Sequence, residues 1–222
     1  MITWINKLAR KLREKNYFFR RLFEIGMDYL WVDKMVVMQL DLEQADLSKT
    51  FEKIDVRWWL ATREDCEKYF TGVRPGFDVA EGQRMSEFIE TGDWFFLGMV
   101  DDASTSAPSC YCACNFKVRK LHGREFSLES WEGFIFNVLT VPEQRGKGLA
   151  AGVIAEVCRK AKEQRHSLMF ADIATSNAAS LRTFEKVGFV ATGTYYYLFH
   201  VFKRHFLIPV GPLRNRFRKQ GK

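Results

Sequence analysis

Apolar positions follow a helical period near the start of the chain and shorter, strand-like runs after residue 54. In residues 4–23 (WINKLARKLREKNYFFRRLF), leucine, isoleucine and phenylalanine form one stripe that lysine and arginine surround. This spacing predicts a basic amphipathic helix. Such a helix either lies at a membrane surface or docks on the protein with a solvated outer face, and the sequence leaves both interpretations open.

After residue 54, strand and helix patterns alternate along the chain. The predicted strands cover residues 54–61, 94–100, 109–118, 131–141, 167–173 and 189–202. The predicted helices cover residues 63–70, 78–90 and 177–187, with a longer one from about residue 149. Residues 117–130 are polar and predict an irregular loop. This order predicts an α/β protein with a mixed sheet flanked by helices.

The composition is that of a globular protein, with 47% hydrophobic and 27% charged residues among 222. No apolar stretch reaches the roughly 18 residues needed to cross a bilayer, and basic residues interrupt every candidate signal-peptide core. We therefore expect a cytoplasmic protein. The patterns divide it into an N-terminal helical extension (residues 1–50), one folded domain (51–206) and a frayed basic tail (207–222).

The positive charge is concentrated at the two ends of the chain. The overall net charge is +7, with +5 in residues 1–24 and +8 in residues 186–222, which leaves −6 for the segment between them. An acidic centre favours a cationic or amine substrate over a nucleic acid, and the sequence contains no recognised nucleic-acid module. We therefore expect no nucleic-acid partner.

The five cysteines predict neither disulfides nor a metal site. Cys110, Cys112 and Cys114 alternate along one predicted strand, so their sulfur atoms share one face. No CxxC pair and no nearby histidine pair completes a tetrahedral zinc site. We expect these small side chains to pack beneath a helix.

The segment VPEQRGKGLA (residues 141–150) leads from a predicted buried strand into a predicted helix through two glycines. The first N–H groups of a helix lack partners and its dipole is positive there, so this turn is suited to binding phosphate. Arg145 and Lys147 add positive charge. The spacing excludes a P-loop, which requires GxxxxGK[ST], and a GxGxxG dinucleotide fingerprint.

Two motifs together carry a family resemblance. Residues 145–150 (RGKGLA) fit the pattern [Q/R]-x-x-G-x-[G/A] after a strand that ends in VLTVP, and NAASLRTFEKVGF follows at residues 177–189. They resemble the GNAT superfamily of acetyl-CoA-dependent N-acetyltransferases, over residues 54 to about 206. The resemblance implies a mostly antiparallel central sheet with flanking helices and one parallel strand pair that splays apart at the cofactor site.

The resemblance also implies where acetyl-CoA binds. The backbone of Leu139, Thr140 and Val141 would pair with the pantetheine amides. The N–H groups of the turn would surround the pyrophosphate, at Arg145, Gly146, Lys147, Gly148, Leu149 and Ala150. Asn177 and Ser180 would contact the pantetheine or nucleotide arm, and Asn177 is in addition a good N-cap for its helix.

Family chemistry is direct attack of an amine on the thioester, which requires removal of a proton from the amine. Members often place a glutamate on the central strand for this purpose, acting directly or through water. Glu132 and Glu129 are the candidates here, and strand alternation favours Glu132. The alternative is that Glu132 is an exposed carboxylate at the end of a strand.

The proton donor for the departing thiolate is not at its usual family position. Many members carry a tyrosine where this chain has Phe184, which cannot donate a proton. Tyr195 and Tyr197 are the candidate donors on the following strand. Tyr196 points to the opposite face, and the sequence does not decide which face lines the cleft.

We therefore expect an acyltransferase that moves an acetyl group from acetyl-CoA to a small primary amine, such as an amino sugar or an envelope precursor, without a metal. One alternative is acetylation of a protein N-terminus or lysine. Another is a CoA-binding scaffold with weak catalysis at the inner face of the membrane, with residues 1–24 as the lipid contact. The acceptor and the oligomeric state stay open.

Overall fold

The computed structural model describes residues 30–49, 51–74, 76–100, 107–117, 119–121, 124–201, 204–210 and 217–219. The predicted amphipathic helix over residues 4–23, and the membrane contact assigned to residues 1–24, lie outside these residues. None of the helices that the structure describes combines the length and hydrophobicity needed to cross a membrane.

The described residues form eleven strands and four α-helices. The strands are β1 (Leu30–Asp41), β2 (Val56–Leu60), β3 (Trp94–Val100), β4 (Cys110–Asn115), β5 (Arg119–Leu121), β6 (Arg124–Phe126), β7 (Glu132–Thr140), β8 (Leu168–Ala174), β9 (Val190–Val201), β10 (Arg204–Val210) and β11 (Phe217–Lys219). The helices are α1 (Arg63–Tyr69), α2 (Val79–Glu90), α3 (Leu149–Glu163) and α4 (Ala178–Val187), with a 3₁₀ turn at Pro142–Gln144. Every element predicted after residue 54 is present, and the predicted loop 117–130 contains the short strands β5 and β6.

Local sequence explains where the helices begin and end. Thr62, Asp78 and Asn177 each accept a backbone N–H of the first turn and so cap α1, α2 and α4. α3 instead follows Gly148, whose φ is +90°, and has no side-chain cap. α4 ends at Gly188 with φ +112°, a conformation that glycine adopts without steric cost.

Eight strands form the central sheet in the order β10-β9-β1-β8-β7-β4-β3-β2, and β11-β6-β5 form a small second sheet. Among the described pairings, all are antiparallel except β7 with β8. The predicted fold class, a mixed and mostly antiparallel sheet with one parallel pair, is therefore confirmed.

The parallel strands β7 and β8 separate partway along their length. Their pairing runs from Glu132 opposite Leu168 to Ile135 opposite Ala171, and beyond it β7 pairs only with β4 among the described strands. Asn137 has φ +54° where the register with β4 shifts, which is a β-bulge. We call the opening that begins after Ile135 and Ala171 the fork.

Helices cover the central sheet on both faces, and each face has its own core. Face A is covered by α3 and α4, and its core includes Leu149, Val153, Ile154, Phe184 and Val187 together with the three cysteines of β4. The expectation that Cys110, Cys112 and Cys114 pack beneath a helix is thus confirmed. Face B is covered by α1 and α2, and its core includes Cys66, Phe77, Met85, Phe134, Phe170 and Tyr196.

The first described strand corrects the predicted division of the chain. The sequence patterns predict residues 30–41 as part of a helical extension, but these residues form β1 inside the sheet, between β8 and β9. Met35 lies opposite Ala174 on one side and Tyr196 on the other. The tail is corrected as well, because β10 extends to Val210 and β11 pairs with β6. β1 and β11 pair with segments that are distant in the sequence, which no local pattern records, whereas β10 pairs with the preceding strand β9.

Candidate functional site

A groove of about 570 Å³ opens on face A where β7, α3 and α4 meet. It begins at the fork, since β7 contributes residues that follow the last pair with β8. The lining residues from β7, from the turn with the start of α3, and from α4 include Val138, Leu139, Thr140, Gln144, Arg145, Gly146, Gly148, Leu149, Ala150, Asn177, Ser180, Arg182 and Lys186. Three separate segments of the chain therefore form one continuous surface.

Nine of the eleven residues predicted to bind the cofactor line this groove, and two do not. Val141 is buried, and its N–H donates to the carbonyl oxygen of Ser109 at 2.9 Å. Lys147 directs its Nζ to Oε1 of Gln144 at 2.6 Å. The side chain of Lys147 thus serves the turn itself, whereas Arg145 is the motif cation that lines the groove.

The start of α3 gives the groove its positive character. Because α3 has no side-chain cap, the first N–H groups of the helix, at Leu149, Ala150 and Ala151, are not satisfied by a capping side chain. The helix dipole adds partial positive charge at this end. Arg182 and Lys186 line the same groove from α4. This arrangement is suited to an extended anion with several phosphates.

The two glycines of the turn have different roles. Gly146 has φ +78°, and a methyl group placed on it would meet no atom within 4 Å. Gly148 has φ +90°, and a methyl group there would overlap the backbone of Phe51. Only Gly146 therefore presents an open backbone to the groove, while Gly148 is required by packing.

The strand side of the groove carries polar groups that no neighbouring strand among the described residues pairs. Because β8 has separated from β7, the edge of residues 138–140 that faces the fork has no neighbouring strand among the described residues. The hydroxyl of Thr140 is buried and has no hydrogen-bond partner in the described part of the chain. Arg145 Nε donates to the Thr140 carbonyl oxygen at 3.2 Å. These groups fit a ligand arm that carries amides.

Asn177 caps α4 in the structure, as one of the two sequence interpretations expected. Its Oδ1 accepts the N–H of Ser180 at 3.1 Å. Both residues also line the groove. The capping role therefore does not remove Asn177 from the site.

The predicted base lies far from the groove. Glu132 is the first residue of β7, seven positions before Leu139. Since a strand rises about 3.3 Å per residue, the two ends are on the order of 20 Å apart. Glu132 is 1% exposed, and its Oε2 accepts the N–H of Glu129 at 2.9 Å. Strand alternation predicts which face of the sheet Glu132 lies on, but it does not predict the distance of Glu132 from the fork. The alternative prediction, an exposed carboxylate at the end of a strand, is wrong because Glu132 is buried.

The predicted proton donors are also away from the groove. Tyr195 and Tyr197 lie on β9, with ring centroids 5.7 Å apart, and the ammonium of Lys34 lies 4.3 Å from the Tyr195 ring. β1 lies between β9 and β8, so these rings are about 10 Å from β8. Tyr196 points the other way and is fully buried in face B. The insertion of β1 separates Tyr195 and Tyr197 from the fork.

Two cationic side chains that line the groove are not among the residues predicted from the sequence. Arg182 and Lys186 follow Ala179 at intervals of three and four residues, so all three share one side of α4. That spacing, read together with Ser180, could have identified them.

A polar cluster lies on face B next to the bulge. Asn137 donates to Oε1 of Glu81, and Glu81 forms an ion pair with Arg84. Burial raises the pKa of the Tyr111 hydroxyl above its usual range, and the nearby charge of Glu81 raises it further. Tyr111 therefore stays protonated and is a poor proton donor.

The cysteines are unsuited to chemistry. Burial raises the pKa of the Cys112 and Cys114 thiols well above the usual range, and the neighbouring thiol of Cys158 adds to the shift. Thiolates are the metal-binding and nucleophilic form, so these residues act as packing groups. Among the described residues, no group of three or more His, Cys, Asp or Glu is arranged to hold a metal ion.

Comparison with solved structures identifies the fold. A tandem GNAT protein from the clavulanic acid biosynthesis pathway superposes with a TM-score of 0.53 at 14% identity, covering 87% of this chain and 59% of that one. A GCN5-related N-acetyltransferase from Sphaerobacter thermophilus gives 0.51 at 16%, covering 86% and 57%. The chain therefore has the fold seen in GCN5-related N-acetyltransferases.

A third solved structure has the same fold, and a family model matches part of the chain. The fungal glucosamine N-acetyltransferase region of a multi-domain β-N-acetylglucosaminidase gives a TM-score of 0.51 at 12% identity, covering 88% of this chain and 23% of that one. Residues 113–198 match the family model described as FR47-like protein. No curated protein matches the chain. These findings agree with the predicted resemblance: the chain has the fold of the GCN5-related N-acetyltransferases and matches the FR47-like model at residues 113–198. It spans somewhat more than half of the first two solved relatives.

Proposed function

We propose that the chain is an N-acetyltransferase that binds acetyl-CoA in the groove and transfers the acetyl group to a primary amine by direct attack. The observation that carries the proposal is the uncapped start of α3, which opens on the groove beside the fork. Acetyl-CoA supplies the activated acetyl group, and the residues of the chain bind and orient it.

Each part of the groove fits one part of coenzyme A. The N–H groups at the start of α3, with Arg145, match the diphosphate. Arg182 and Lys186 offer charge for the remaining phosphate. The edge of β7 at residues 138–140, which has no neighbouring strand among the described residues, matches the amides of the pantetheine arm, and it leads toward the fork, where the thioester would lie.

A small amine is the acceptor that the charge distribution favours. The segment between the two basic ends carries a net charge of −6, which attracts cations. An amino sugar or an envelope precursor with a free amine belongs to this class. Acetylation of a protein N-terminus or lysine is the second candidate, and a lysine-containing peptide in the assay below separates the two.

Calorimetric titration with acetyl-CoA tests the binding site. Gly146→Ala places a methyl group on the groove wall, and we expect acetyl-CoA affinity to fall about tenfold, which corresponds to about 1.4 kcal/mol. Gly72→Ala is the matched control, because Gly72 has φ +79° against +78° for Gly146, and a methyl group on it would also meet no atom within 4 Å. Both variants carry the same backbone strain, but only Gly146 lines the groove.

Release of free thiol from acetyl-CoA in the presence of glucosamine, benzylamine or a lysine peptide tests the reaction. We expect turnover with at least one small amine. No heat of binding at millimolar acetyl-CoA would overturn the proposal. Binding without turnover of any amine would leave only the scaffold alternative.

A further inference from the structure

Asp172 occupies a position at the fork that the sequence did not single out. It follows Ala171, the last residue of β8 that pairs with β7. Alternation along β8 places it on face B with Phe170, while Ala171 belongs to the face A core. Because the pairing of the two strands ends at Ala171, Asp172 is the first residue of β8 at the fork, on the opposite face of the sheet from the groove.

Tyr196 holds the carboxylate of Asp172. Its ring is fully buried, and its hydroxyl donates to Oδ2 of Asp172 across the intervening strand β1. No lysine, arginine or histidine among the described residues forms an ion pair with Asp172. A half-buried carboxylate with a neutral hydroxyl as its described partner retains a net negative charge that a cationic ligand can neutralise.

The other carboxylate near the fork is already neutralised. Glu81 lies beside the bulge and contacts Asn137, but Arg84 forms an ion pair with it, and the Glu81 side chain is 12% exposed. A cationic substrate would have to displace Arg84 to reach this carboxylate. Asp172 is therefore the better site for positive charge on this side of the sheet.

We propose that Asp172 binds the ammonium group of the acceptor at the fork, a role that rests on the proposed function. The nitrogen lone pair forms the C–N bond to the acetyl carbon, and the C–S bond breaks with its electron pair left on the sulfur of CoA. The ammonium nitrogen loses two protons. One ends on the sulfur, and the other passes through Asp172 to solvent. Tyr196 is a positioning residue, since it contacts Asp172 and not the substrate.

The test compares a charged and a neutral acceptor in the wild-type protein and in Asp172→Asn, whose side-chain oxygen still accepts the Tyr196 hydroxyl. Benzylamine is a cation at neutral pH, whereas aniline is neutral and loses only the proton that the sulfur takes. We expect kcat/KM for benzylamine to fall about 100-fold and that for aniline to fall less than about tenfold. Asp55→Asn removes an exposed carboxylate ahead of β2, and we expect it to leave kcat/KM unchanged for both benzylamine and aniline.

Two readouts separate this role from a merely structural one. Calorimetry with benzylamine in the presence of free CoA, where no reaction occurs, should show binding to the wild type and about tenfold weaker binding to Asp172→Asn. Tyr196→Phe keeps the buried ring, and it should lower kcat for benzylamine about tenfold with the KM for acetyl-CoA unchanged.

Three results would overturn the inference. Equal benzylamine kinetics and binding in the wild type and Asp172→Asn would overturn it and leave the proposed function intact. If Asp172→Asn lost acetyl-CoA affinity and folding stability to the same extent as benzylamine affinity, Asp172 would be a packing residue. Absence of acetyl-CoA binding by the wild type would overturn the proposed function and the inference together.

Discussion

Gly148 and Phe51 are in direct backbone contact, and the space that a side chain at Gly148 would need is filled by the carbonyl group of Phe51. The N–H of Lys53 donates to the carbonyl oxygen of Lys147 at 3.0 Å, so a backbone hydrogen bond joins the segment before β2 to the turn before α3. The start of α3, and with it the groove, is therefore positioned by residues nearly 100 positions earlier.

Gly148→Ala tests this contact. The alanine must adopt φ near +90°, which costs about 1–2 kcal/mol, and its methyl group must displace the backbone of Phe51. We expect the free energy of unfolding in urea to fall by more than about 2 kcal/mol. In Gly146→Ala and Gly72→Ala the alanine has the backbone strain but no steric overlap, so the free energy of unfolding should fall by about 1 kcal/mol in each. Equal losses in all three variants would contradict the packing role of Gly148.

The two roles of Asn177 can be separated by substitution. Asn177→Asp keeps an N-cap of equal quality, so we expect stability within about 0.5 kcal/mol of the wild type. The added negative charge at the groove should weaken acetyl-CoA binding several-fold. Asn177→Ala should instead lose about 1 kcal/mol of stability. Unchanged acetyl-CoA affinity in Asn177→Asp, measured by calorimetry, would place the cofactor away from the start of α4.

Glu132→Gln tests whether the buried glutamate takes part in the reaction. Because Glu132 lies at the far end of β7 from the groove, we expect kcat/KM to change by less than about twofold. The exchange weakens a charge-assisted hydrogen bond to the Glu129 N–H, so stability should fall by about 1 kcal/mol. A loss of kcat/KM by two orders of magnitude in a folded variant would restore Glu132 as the base.

His166 should make stability depend on pH. Its ring stacks on Phe116 with centroids 4.3 Å apart, and burial lowers its pKa below the usual 6.5. A pKa that is lower in the folded state gives stability that is present above about pH 6.5 and lost as the pH falls through the folded-state value. We expect the free energy of unfolding, measured by urea denaturation between about pH 7 and pH 5, to fall less steeply for His166→Phe than for the wild type. Gly72→Ala is the control, and its pH slope should equal that of the wild type.

The elements after residue 54 could be predicted because their signals are local. Thr62, Asp78 and Asn177 mark helix starts, and Gly188 marks a helix end, each through a contact or a dihedral angle within a few residues. The strand β1 escaped prediction for the opposite reason. Its neighbours β8 and β9 lie more than 100 positions away, and pairing at that distance leaves no local pattern.

In the candidate site, too, the residues with local signals could be predicted and those that depend on strand order could not. The turn at residues 145–150 is local, so its glycines and Arg145 could be assigned from their spacing and from the helix that follows. Tyr195 and Tyr197 could be assigned only by assuming which strand lies next to β8. The structure places β1 there, and this moves both rings away from the fork and leaves Tyr196 to reach Asp172.

The sequence by itself determined the order of the elements after residue 54 and the phosphate-type turn, because dihedral preferences, capping and short motifs act over neighbouring residues. Its motifs implied the parallel pair through the family resemblance. Only the tertiary structure decided that Gly148 packs on Phe51, that Glu132 lies at the far end of its strand, and that Asp172 meets Tyr196 across β1. Those relationships depend on strand order and register, which are fixed when distant segments bury their apolar faces together.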